Sequence, residues 1–125
     1  MYRGLREIQL TVGALQKHLR AALLANNTRD AIGHSGAVHE SSAAVLRQIE
    51  TALRSVDSDP EPADRQVDAN LMRAAARSMS LAVENCERVA LGSTVDEMRD
   101  RLVDVKTQID YADAFLQASL GFDES

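Results

Sequence analysis

Tryptophan is absent from the 125 residues, and the aromatic side chains amount to two Tyr and two Phe. Proteins that hold single-stranded nucleic acid stack its bases on aromatic rings. This chain has almost none to offer. Its net charge of −5 also repels a phosphate backbone, so no nucleic-acid partner is expected. A single cysteine, Cys86, rules out an intrachain disulfide and fits a reducing compartment. The longest apolar run, AALLA at 21–25, falls far short of the about 20 residues that a membrane-spanning helix needs. Behind Arg3 and Arg6 of MYRGLREIQL there is no apolar stretch of the kind a secretory signal carries. A cytoplasmic location is the expectation. No stretch alternates apolar and polar residues, so no sheet is expected.

What is present is helical periodicity. Leu5, Ile8, Val12, Leu15, Leu19 and Leu23 recur at steps of three and four, one stripe of a helix over about 2–26. Asn26 and Asn27 are expected to stop it, because Asn tolerates the left-handed conformation. Gly4 and Gly13 each weaken such a helix by roughly 1 kcal/mol relative to Ala. Gly13 is expected where a neighbouring backbone comes close. The stretch AIGHSGAVHESS, 31–42, carries two glycines, three serines, His34 and His39. It reads as a flexible connection over 28–37, leading into a second helix over about 38–56 with the stripe Val45, Leu46, Ile49, Leu53 and Val56. Pro60 and Pro62 in DSDPEPAD, 57–64, then break the chain.

A third helix is expected over about 63–91, with Val67, Leu71, Ala74 or Ala75, Ser78, Ala82, Cys86 and Val89 inward. Gly92 ends it, and Thr94 with Glu97 forms a capping box for the next. So short a connection makes the two helices antiparallel neighbours. The fourth, over about 94–120, carries Val95, Met98, Leu102, Val105, Ile109, Ala112, Leu116 and Ser119 at alternating steps of three and four. That is the 3.5-residue period of helices packed side by side. Gly121 is expected as its C-terminal cap, with Phe122 folded back on the last turn and the DES tail frayed. The expected fold is all-α: one domain, an up-down four-helix bundle with heptad-patterned long helices.

The charges are unevenly placed. Residues 1–29 hold five Lys or Arg against Glu7, and residues 93–125 hold Arg99, Arg101 and Lys106 against eight acids. Opposite charges on the terminal helices set how they pair, within the chain or between chains. The expected function is therefore non-enzymatic: a bundle that mediates protein–protein interaction or assembly, as an adaptor, chaperone-like cap or oligomeric subunit. Self-association into a homo-oligomer is the first expectation for a partner. The proposed contact surface is the fourth-helix stripe of Met98, Leu102, Val105, Ile109 and Leu116.

No constellation argues for an enzyme, a cofactor or a metal. His34 and His39 are five apart, whereas helical zinc pairs stand three or four apart. The Glu-x-x-His pairs of a di-iron bundle are missing. Cys86 lies on a stripe of small residues, the place of a buried inert thiol. VHESSAAVLRQI, with its His-Glu pair opening an amphipathic helix, resembles the phosphorylated helix of sensor histidine kinases, without the proline that follows there. The resemblance implies histidine phosphotransfer, an alternative function alongside metal binding through His34 and His39. MYRGL, GAL and LANN near one end, and VDEM, LVDV and TQIDY near the other, resemble the terminal helices of flagellar rod and hook proteins. That resemblance implies a filament subunit whose two terminal helices pair in a filament core. The Thr-Gly-Tyr segment of that family does not follow the Asn pair, and the middle of this chain reads as helix.

Overall fold

The computed structural model describes residues 5–58 and 63–124, with side chains described over 6–54 and 69–119. The Pro60–Pro62 break and the side chains of Leu5, Val56, Val67 and Phe122 lie outside these limits. Four helices fill the described residues: α1 (Leu5–Leu23), α2 (Thr28–Ser58), α3 (Ala63–Val89) and α4 (Val95–Glu124). They form an all-α four-helix bundle. Each helix packs on the next, α3 against α4 most extensively, and α1 meets α4 to close the ring. Of the four seams between neighbours, α1–α4 is the most open, and α2 and α4 also touch across the bundle.

Each helix turns one line of residues inward at steps of three and four. On α1 the line is Ile8, Val12, Leu15, Leu19 and Ala22. On α4 it is Met98, Leu102, Val105, Ile109, Ala112, Leu116 and Ser119. The α2 line is Ala31, Ser35, Val38, Ser42, Val45, Ile49 and Ala52, with Leu46 and Leu53 half-buried beside it. On α3 it runs through Ala69, Met72, Ala75, Met79, Ala82, Cys86 and Val89. Met72 and Met79 are fully buried while Leu71 is half-buried, so the α3 stripe is rotated from the expected one over its first half.

The largest departure from expectation is α2. Residues 28–37 are not a connection but its first turns. Two local causes are visible. Asn27 caps the helix: its Oδ1 accepts the Asp30 N–H at 2.8 Å, and its Nδ2 donates to Asp30 Oδ2 at 3.1 Å. Asn27 thus starts α2 instead of stopping α1, which ends at Leu23. The second cause is burial. Ala31 and Ser35 continue the inward line, and the Ser35 hydroxyl is satisfied by the Ala31 carbonyl. Packing of that face outweighs the poor helix propensity of Gly33 and Gly36.

The α3–α4 turn follows expectation. Thr94 Oγ1 accepts the Glu97 N–H at 3.1 Å, and Glu97 Oε2 accepts the Ser93 N–H at 2.7 Å. Gly92 is required by close approach: a Cβ there would stand 3.0 Å from Met98 Cγ, 3.2 Å from Met98 N and 3.3 Å from Val89 O. Gly13 is different. A Cβ there would meet nothing within 4 Å, so no neighbouring backbone explains it. Nor does Gly121 cap α4, which continues to Glu124 and takes Asp123 and Glu124 of the tail into the helix.

Gly33 and Gly36 face the same open space as Gly13. Gly33→Ala and Gly36→Ala should each raise the free energy of unfolding in urea by roughly 0.5–1 kcal/mol. Gly92→Ala should lower it by about 1–3 kcal/mol, because two of its three close neighbours are backbone atoms that cannot swing away.

Candidate functional site

The five residues expected to meet a partner lie in the core. Met98 and Leu116 are 2% and 3% exposed, and Leu102, Val105 and Ile109 are fully buried. The expectation that they form a contact surface is corrected: their stripe is covered by the rest of the bundle, and a partner would meet the opposite side of α4. That side is not uniformly polar. Val103 and Tyr111 are 49% and 55% exposed, with Thr107 between them. Spacings of four place all three on one outward row. Helix α4 thus carries two exposed apolar side chains on the side opposite its buried stripe.

The charges around that outer row are sorted by sign. Asp96, Asp100 and Asp104 are exposed there, as is Asp110. The three bases of α4 all have partners, and Arg99 Nη1 pairs with Asp96 at 3.3 Å. Arg99 reaches across to the end of α1, where Nε donates to Leu23 O and a terminal nitrogen to Ala25 O, each at 3.1 Å. Arg101 donates to the Arg88 carbonyl at 2.6 Å, near the end of α3. Lys106 pairs with Asp110 at 2.6 Å. Two arginines of α4 thus satisfy carbonyls at the negative ends of two other helices. Arg99 also fixes direction, because the start of α4 lies beside the end of α1. The outward row of α1 has the opposite sign. Leu10, Lys17 and Leu24, seven apart, are all exposed, the two leucines at 71% each. Exposed Arg6 and Arg20 flank them.

The histidines are helical, not loop residues. His18 and His34 are exposed on α1 and α2. His39 is half-buried, and its Nε2 lies 3.3 Å from Glu87 Oε1 on α3. With 48 positions between its members, that pair leaves no mark in local spacing. His34 is not brought to it, and among the described residues no group of three or more His, Cys, Asp or Glu is placed to hold a metal ion. Cys86 is buried with Sγ 3.3 Å from the Ser35 carbonyl. Burial first, and the Glu87 charge second, push its thiol up from 9.0 to about 11. So protonated a thiol is a poor nucleophile.

No family model, curated protein or solved structure matches this chain. Among the described residues, no helix is long and apolar enough to cross a membrane.

The raised Cys86 value fixes a pH effect. The unfolded thiol loses its proton first, so its contribution to stability is complete below pH 9 and is lost as pH climbs towards 11. Unfolding curves of Cys86→Ala should lack the part of the alkaline decline that the wild type shows in that window. Arg99→Ala should cost about 1–2 kcal/mol in urea unfolding, since it leaves the Leu23 and Ala25 carbonyls without their charged donor.

Proposed function

We propose that this chain is a non-enzymatic helical bundle whose work is to bind other protein, as an adaptor, a chaperone-like cap or an assembly subunit, in the cytoplasm. One observation carries the reading. Helix α4 keeps two large apolar side chains, Val103 and Tyr111, on its outward side, although its inner stripe already lies in the core. Large exposed apolar side chains ringed by charge are the usual make-up of a protein-binding face. Tyr111 has the anchor chemistry of such a face, an apolar ring with a polar tip and few rotamers to freeze. The exposed leucines of α1 add a second face of the same kind.

The test is affinity capture by the full chain and by its Val103→Glu, Tyr111→Glu double variant. Neither side chain is buried, so the variant should keep the wild-type melting temperature while losing the captured proteins. Identical captured sets from two equally folded baits would end the reading.

A further inference from the structure

We propose that the partner is a second copy of this chain, and that the basic outward row of α1 on one copy docks on the acidic outward row of α4 on the other. The inference rests on the protein-binding reading and names its partner.

Charge is the first reason. The outward row of α4 presents Asp100 and Asp104, while its bases reach the α1 and α3 carbonyls, Asp96 and Asp110. The outward row of α1 presents Arg6, Lys17 and Arg20, with Glu7 the acid among them. Each face would repel a copy of itself and attract the other, which selects α1 on α4 over α1 on α1 or α4 on α4.

Symmetry is the second. The two helices are neighbours in the bundle and antiparallel, as Arg99 at the carbonyls of Leu23 and Ala25 shows. A two-fold axis laid along the α1–α4 seam, parallel to both, sets each α1 over the partner's α4, again antiparallel. Both contacts form at once and the assembly closes as a dimer. That seam is also the least extensive of the four between neighbouring helices.

Register is the third. Rotation about that axis keeps every residue at its own height, so the Arg99–Leu23 contact sets the levels. Tyr111 lies twelve residues along α4 from Arg99, and Leu10 lies thirteen residues back along α1 from Leu23. At the same rise per residue they share a level. Asp104 is five residues along and Lys17 six residues back, so they share one too. In that pairing an exposed leucine comes level with an exposed tyrosine, and an exposed lysine with an exposed aspartate.

Size exclusion with light scattering on the full chain tests this, with two charge-reversed variants. One is Lys17→Glu with Arg20→Glu, the other Asp100→Lys with Asp104→Lys, and circular dichroism checks that both are folded. The wild type should run as a dimer that molar salt weakens. Each variant alone should be a monomer, and an equal mixture should form a one-to-one heterodimer, because both contacts are then complementary again. A wild type that stays monomeric at all concentrations overturns the second copy as partner. The protein-binding reading would survive that result if the Val103→Glu, Tyr111→Glu bait still loses captured proteins. A dimer indifferent to both reversals overturns this surface. A monomer that binds phosphatidylserine vesicles through Lys17 and Arg20 overturns the proposal in favour of a membrane surface.

Discussion

Everything in this bundle depends on one packing constraint: each helix must turn a line of apolar side chains into one shared core. Leu102, Val105, Ile109 and Leu116 bring volume to the centre. Val38, Val45 and Ile49 on α2, with Met72, Met79 and Val89 on α3, bring more, interleaved with small residues such as Ser35, Ser42, Ala75 and Ala82. Large residues against small ones interdigitate without voids, and the small ones let backbones approach. The α3–α4 seam is the most extensive in the bundle, and α2 reaches α4 across it.

The ends of the helices are tied by polar groups that serve the same geometry. Arg99 and Arg101, in the first two turns of α4, donate to carbonyls at the ends of α1 and α3. The start of α4 is itself fixed by Thr94 and Glu97, and Gly92 lets Met98 come down onto the turn. With Arg99 and Arg101 reaching to those carbonyls, Asp100 and Asp104 stand exposed beside Val103 on the outward side of α4. The chemistry that builds the fold therefore also shapes the face that is left for a partner.

Parts of this were legible in the residues. The α4 stripe alternates three and four over bulky side chains, and seven of its eight expected members are buried, Val95 being the half-buried exception. The α1 stripe and the Thr94–Glu97 cap were equally plain. The first turns of α2 were not, because Ala31 and Ser35 carry too little apolar surface to mark an inward face. Glycines and serines at that spacing look the same in a linker and in a close-packed helix. The rotation of α3 was hidden for a related reason: Leu71 and Met72 are adjacent, both apolar, and either can lead a stripe.

The sequence by itself determined the class of the protein and the number of its helices, along with the caps that rest on neighbours three and four positions apart. It also determined the opposite charge of α1 and α4. Only the tertiary structure decided that Met98, Leu102, Val105, Ile109 and Leu116 are core, and that Asn27 opens a helix. It likewise decided that Arg99 belongs to the end of α1 and His39 to Glu87. The division has one physical cause. Periodicity and capping are set within a few residues along the chain, whereas the burial of a small residue and the partner of a long side chain depend on which helix arrives beside it.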